Sequence, residues 1–221
     1  MAILSQWQGS LTCNLKNKMF KYHTCLVEPF GIKRNSDSDS EPVSLAEAKA
    51  HLRVTHTDDD AYITTLITAC RQSLEISTRR SLGSTQSYTA YYQRFPTKYY
   101  KLVIPKPPYV SFQGLKYYNN LDNLTTVSTD EYIIESSGEG TAYLAMKDGF
   151  STPSLTMSRV SPVYAEFTAG YTSLPKPLHQ AILLLIAHYY DTREPISFGD
   201  IPHKIARTVD FISEQYKIRK F

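Results

Sequence analysis

Residues 165–195 read AEFTAGYTSLPKPLHQAILLLIAHYYDTREP. The stretch begins inside an alternating segment, residues 163–167, which has the period of a half-buried strand. Beyond Pro175 and Pro177 the period changes, and residues 181–190 are apolar around most of a helical circumference. Such a helix must be covered on several sides, so it is expected at the centre of a helical core. Its cover has to come from elsewhere in the chain.

Upstream, Ser44 and Glu47 have the spacing of a capping box, in which each side chain satisfies a free backbone N–H of the first turn. Leu45, Ala48 and Leu52 then recur on one face. A second helix opens at Asp58, Asp59 and Asp60, with Asp58 expected to cap it. Its stripe of Ile63, Leu66, Ile67, Cys70 and Leu74 has helical period, and Arg79 and Arg80 suit its C-terminal end. Downstream, Ile205, Val209, Ile212 and Tyr216 mark one face of a closing amphipathic helix. Between the helical halves lie short β segments at residues 88–92, 102–104, 112–118, 132–134, 143–145 and 163–167. Asn119-Asn120, the Gly138–Gly140 region, Asp148-Gly149 and the prolines 105, 107 and 108 separate them. The expected class is α+β, an α-helical bundle core interrupted by a small antiparallel β-sheet or barrel.

The expected organisation is an N-terminal arm and linker (1–41), a helical hairpin (42–82), a β-rich insertion (83–173) and a core helix with a C-terminal amphipathic helix (174–221). Within the arm, residues 22–30 have the character of an edge strand, and KRNSDSDSE at 33–41 that of a mobile linker. Met19 is a candidate start, which would leave the first eighteen residues outside the native chain.

The 221 residues carry a net charge of only +3, too little to define a nucleic-acid binder, while 42% apolar content suffices for a core. The 17 tyrosines suit strands and also surfaces covered on assembly. Cys13, Cys25 and Cys70 form no CxxC pair, and Cys70 is expected as a buried free thiol made in a reducing cytoplasm. The apolar run at 181–187 is far short of the ~20 residues a membrane helix needs, and no membrane association is expected.

No HExxH, glycine-rich phosphate loop or GxSxG elbow occurs, so no cofactor, metal or catalytic residue is assigned and no enzyme is expected. The three aspartates at 58–60 could serve Mg²⁺ only with further carboxylates converging on them; helix capping accounts for them without a metal. From Lys204 onward five basic residues face Asp210 and Glu214. This tail suits an acidic protein surface or DNA phosphates, or is the solvated face of an ordinary amphipathic helix.

Three blocks in order resemble the long form of the tailed-bacteriophage head-tail connector (adaptor) family. They are PVSLAEAKAHLRVTHTDDDAYITTLITACRQSLEISTRRSL at 42–82, IPKPPYVSFQGLKYY at 104–118, and the 165–195 stretch with its Ala-Gly-Tyr, Pro, Ala-Ile-Leu-Leu-Leu and Tyr-Tyr-Asp-Thr-Arg-Glu order. The residues before 42 depart from the family pattern. The resemblance implies a structural virion protein of the neck: a homo-oligomeric ring, expected to be a dodecamer, beneath the portal protein. It would extend the DNA channel without sequence preference and dock a downstream neck or tail component. It also implies a portal and ring interface on the C-terminal segment, here Ile205, Val209, Ile212, Tyr216, Lys217, Arg219 and Lys220. Deleting 204–221 is then expected to leave a folded protein that no longer joins the portal. The alternatives are a tail-completion or neck protein, a DNA-binding packaging module using the basic tail, and a metal nuclease at Asp58–Asp60.

Overall fold

The first helix is set by its cap. Ser44 Oγ accepts from Glu47 N (3.2 Å) and Glu47 Oε2 accepts from Ser44 N (2.9 Å), so α1 (Leu45–Leu52) starts with a reciprocal capping box. It stops at Arg53, whose left-handed backbone (φ 58°) turns the chain away. The computed structural model describes residues 25–38, 40–97, 100–136, 140–192 and 203–218. The arm before residue 25, Met19 and Cys13 included, lies outside them.

Helix α2 (Asp60–Thr78) buries the whole expected stripe, Ile63, Leu66, Ile67, Cys70 and Leu74, and ends at Arg79 with φ 60°. Its N-cap position is held by Asp59, without a side-chain capping bond; Asp58 lies outside the helix and its carboxylate is exposed. The expected Asp58 cap is therefore displaced by one residue, because the acids stabilise this end by their charge rather than by a cap hydrogen bond. Helix α3 (Lys176–Asp191) follows Pro175, with Pro177 in its first turn, where a missing N–H costs nothing. It packs on α1, α2 and α4 (His203–Tyr216). Leu178, Ala181, Ile182, Leu183 and Ile186 are buried, while Leu184 and Leu185 are half-buried and Tyr189 is exposed. These helices share one apolar core, which Val43, Leu82 and Tyr171 close at the edges.

The β region has a second core. Strands β2 (Gly31–Ser36), β3 (Gln86–Tyr92), β9 (Val163–Ala169), β5 (Tyr109–Tyr118) and β6 (Leu124–Thr126) form a five-stranded sheet in the order β2-β3-β9-β5-β6. Strands β1 (Cys25–Val27), β4 (Tyr100–Ile104), β8 (Ala142–Met146) and β7 (Tyr132–Ser136) form a four-stranded sheet in the order β1-β4-β8-β7. On β9, Val163, Ala165, Phe167 and Ala169 point inward and Tyr164, Glu166 and Thr168 outward. The inward set shares a core with Leu102, Ile104, Ala142 and Leu144 of the other sheet, so the two sheets pack face to face. Register breaks at Tyr109/Ser111 and Phe112/Gly114 bend β5 around this core.

Two expectations are corrected here. The β region is not a closed barrel but two open sheets, and it is not wholly antiparallel, since β1 pairs with β4 in parallel. Residues 33–41 are not a linker: β2 pairs along β3 through Gly31↔Tyr91 to Ser36↔Ser87, and the acids that follow are bound to α2. Polar composition disguised a strand whose partners are polar. The β insertion thus recruits β1 and β2 from the segment assigned to the arm.

Candidate functional site

With no catalytic constellation expected, the functional questions concern what fixes the two layers and what surface they leave open. The layers meet at a buried charge cluster. Arg71 of α2 is 1% exposed, yet its guanidinium meets Glu41 (Nε–Oε2 2.7 Å, Nη2–Oε1 3.1 Å), Asp37 (3.0 Å) and Glu75 (3.2 Å). Glu75 Oε2 also accepts from Arg34 of β2 at 2.6 Å. Its other oxygen accepts from Leu82 N (2.9 Å), Gly83 N (3.3 Å) and Gln86 Nε2 (2.9 Å) at the entry to β3. One carboxylate therefore ties α2, β2 and β3 together. Burial opposes charge on Arg71, but Glu41, Glu75 and Asp37 outweigh it and hold its pKa above the ordinary arginine value. Burial likewise disfavours ionised Asp37, and the Ser38 N–H with Arg71, Arg34 and Gln72 outweighs it, lowering the pKa below 3.8.

Gly170 completes the joint. Its φ is 147°, and a Cβ there would fall 1.6 Å from Ser84 O. Gly170 N donates to Pro108 O (2.9 Å) and Tyr171 N to Gly83 O (3.1 Å), so two chain passages between the layers cross at this point. Only glycine allows that approach.

The Asp58–Asp60 run, on which the metal-nuclease alternative rests, is divided among partners. Asp59 accepts from the Tyr190 hydroxyl of α3, Asp60 pairs with Lys49 of α1, and Asp58 lies 3.8 Å from His56 Nδ1 at the surface. Among the described residues, no group of three or more His, Cys, Asp or Glu side chains is placed to hold a metal ion. Cys70 is buried, and burial pushes its thiol up to about 12. No helix of the described residues is long and apolar enough to cross a membrane.

The C-terminal stripe is covered in part within its own chain. Val209 is 6% exposed and belongs to the helical core, with Ile212 and Tyr216 packed against it. Arg80 Nε donates to Tyr216 O (2.6 Å) and Ile218 N to Thr78 O (3.0 Å), fixing the end of α4 to the end of α2. Val209 is thus spent inside its own chain, Ile212 and Tyr216 are half-buried against it, and deleting 204–221 would uncover that part of the core. The exposed side of α4 carries Arg207, Asp210, Phe211 and Glu214 instead, with Phe211 66% exposed. Lys217 pairs with Glu214. The Ile205 side chain, Arg219 and Lys220 lie outside what is described.

The sandwich leaves further surface open. On the outer face of the five-stranded sheet, Tyr91 and Tyr118 both meet Tyr164 edge to face (5.3 and 5.4 Å), and Arg159 stacks on Tyr118 at 3.6 Å. Partial burial, with a hydrogen bond to Tyr118, pushes Tyr164 up to about 12. Tyr88 and Tyr92, by contrast, are core residues. At the β1/β2 side a groove of about 350 Å³ is lined by Phe30, Ile32, Val103, Pro105, Pro107 and Ile218, together with the charged Glu28, Arg79 and Lys106. Burial lowers the Lys106 pKa, opposed by Glu75 and reinforced by Arg34. Sequence reasoning missed this groove because its apolar residues sit singly in turns and on an edge strand, where no periodicity flags them.

This arrangement, a capped helical pair leading through a polar joint into a sandwich, is similar to that of known proteins. Residues 42–135 match the family model of the phage gp6-like head-tail connector proteins, which shows the resemblance read from the sequence. The fold extends the likeness over most of the chain. A chain in the neck of an empty gene transfer agent particle, computed with C6 symmetry, superposes with a TM-score of 0.65 at 19% identity, covering 86% of this chain and 97% of that one. A chain in the virion of the native gene transfer agent particle gives 0.65 at 19% identity (86% and 96% covered). One in the neck of the native particle, computed with C12 symmetry, gives 0.64 at 18% identity (86% and 97% covered). At these identities the likeness is one of fold. A search of curated protein sequences finds no match.

Proposed function

We propose that this protein is a structural head-tail connector of a phage-like particle. In this reading it forms a ring in the neck, beneath the portal and around the DNA channel, and docks the next neck or tail component. The observation that carries the reading is the agreement between the family match over 42–135 and a fold likeness spanning 86% of the chain to components of particle necks. A homo-oligomer of twelve copies is consistent with the C12 and C6 symmetries of those necks. The protein acts by its surfaces and not by catalysis, and its place is the virion.

The portal contact falls on the exposed face of α4, through Phe211 with Arg207 and Asp210, rather than on the stripe buried in the core. An exposed aromatic flanked by charges of both signs suits a protein surface, since aromatic anchors supply most interface energy. The passing DNA calls only for diffuse charge, which a net +3 supplies without tight phosphate binding.

The test is to express Phe211→Asp/Arg207→Glu in the particle and count tailed particles. We expect a folded protein missing from purified heads and a loss of tail joining. Normal incorporation with normal tails would remove the α4 face as the portal contact. Salt-sensitive DNA binding by the free protein, with no place in the neck, would favour the packaging-module alternative.

A further inference from the structure

The sandwich has two open sides, and they are unlike. The connection from β1 to β2 is only residues 28–30, so these two edge strands lie at the same side of the sandwich. The connection from β6 to β7 is residues 127–131, so those edges share the opposite side. Across the five-stranded sheet the two sides are about 19 Å apart at ~4.8 Å per strand spacing. Both sides expose apolar side chains: Phe30 (65%) and Ile32 (43%) at β1/β2, Leu124 (53%) and Ile133 (49%) at β6/β7.

Their charges are opposite. The β1/β2 side carries exposed Lys33 on the edge strand, with Arg79 and the half-buried Lys106 lining the apolar groove against Glu28. The β6/β7 side carries exposed Asp130, Glu131 and Glu135. Of these only Glu135 has a cation partner among the described residues, Lys101 at 3.4 Å. Exposed edge strands invite pairing unless something covers them. Two different, complementary faces on opposite sides of one subunit are what a head-to-tail contact needs to close into a ring.

We infer that the groove at the β1/β2 edge receives the acidic β6/β7 edge of a second copy of this chain, making the ring contact. The inference rests on the ring reading above and adds the faces that build it. Apolar residues Leu124 and Ile133 of one copy cover Phe30 and Ile32 of the next, while Asp130 and Glu131 meet Lys33 and Lys106. Opposite charges around an apolar centre set the register and disfavour like-to-like pairing of two grooves.

The experiment is a charge reversal read by mass photometry and electron microscopy on the full chain, free and on portal-bearing heads of its own particle. The variants are Lys33→Glu/Lys106→Glu, Asp130→Lys/Glu131→Lys, and all four together. Circular dichroism checks each fold; Lys33, Asp130 and Glu131 are exposed, and the Asp130→Lys/Glu131→Lys pair keeps the test open should the half-buried Lys106 position not tolerate a carboxylate. We expect either double variant to reduce the fraction assembled into rings at least tenfold, and the quadruple variant to restore rings. A second readout is the Phe30→Cys/Ile133→Cys variant in a Cys13→Ser/Cys25→Ser background, expected to give a ladder of covalent multimers on mild oxidation where Phe30→Cys alone in that background gives none.

Rings of the wild-type protein with both double variants unaffected would overturn this contact while leaving the ring reading in place. No ring of the wild type on heads or in solution would overturn the ring reading and the contact with it. Intact rings that fail to join the portal or the tail in the Lys33→Glu/Lys106→Glu variant would assign the groove to that partner instead, and would also overturn the inference.

Discussion

The helical half and the sandwich bury their polar groups by different means. In α2, Arg71 and Glu75 are both 1% exposed and answer each other within a cluster that also holds Arg34, Asp37 and Glu41. In the sandwich, β9 buries only Val163, Ala165, Phe167 and Ala169, and the buried polar tip of Tyr92 is settled by one bond to Val103 O (2.6 Å). The sandwich core is therefore a matter of apolar alternation. The helical layer spends its buried charge at the one place where it must be oriented against the sheets. Buried ion pairs add little net stability over apolar substitutes, but breaking one strands a charge. The joint is thus the part of the molecule whose geometry is most exposed to single substitutions.

That contrast can be broken most severely at Gly170. Gly170→Ala places a Cβ against Ser84 O, and we expect a loss above about 4 kcal/mol or failure to accumulate folded protein, measured by thermal and urea denaturation. Next is Arg71→Ala, which takes the cation from Glu41 and leaves Glu75 and Asp37 with Arg34 alone; the expected loss is about 3–5 kcal/mol. Leu144→Ala in the sandwich should cost about 2–5 kcal/mol through its cavity alone. The two are separated by salt and pH: the Leu144→Ala deficit should be constant, whereas the Arg71→Ala deficit should shrink in acid, where the stranded carboxylates become neutral.

Smaller still, Ser44→Ala removes the α1 cap at a cost of about 1 kcal/mol. The finest test is the pH slope of Asp37→Asn. Asp37 has a folded pKa lowered below 3.8, so its contribution is present above the unfolded value and is lost as pH falls through the folded one. The variant should be less stable than wild type at pH 7 and should lose less stability between about pH 5 and pH 2. Equal slopes would mean that Asp37 is not part of the joint.

How far the sequence can be read follows the same contrast. The α2 stripe and the β9 alternation are legible because each buries one continuous face and periodicity reports that directly. The Ser44–Glu47 cap is legible because it is local. The strand at β2 is not, because its polar residues are explained by distant partners: Arg34 by Glu75, 41 positions away, and Asn35 and Ser36 by Thr89 and Ser87 on β3. The α4 stripe illustrates a further limit. Its amphipathic pattern identifies an apolar face correctly but not which surface covers it, and Val209 turns out to be covered by the chain's own core. Alternation in the β region shows inward and outward faces, yet says nothing of whether the sheet closes or folds onto a second sheet.

The central claim is that this chain forms a ring in the neck of a phage-like particle, and cryo-electron microscopy of purified particles tests it most directly. The account predicts ring density between portal and tail that the sandwich and four helices fit, with the β1/β2 side of each copy against the β6/β7 side of the next. A neck reconstructed at side-chain detail without this chain in it would contradict the account.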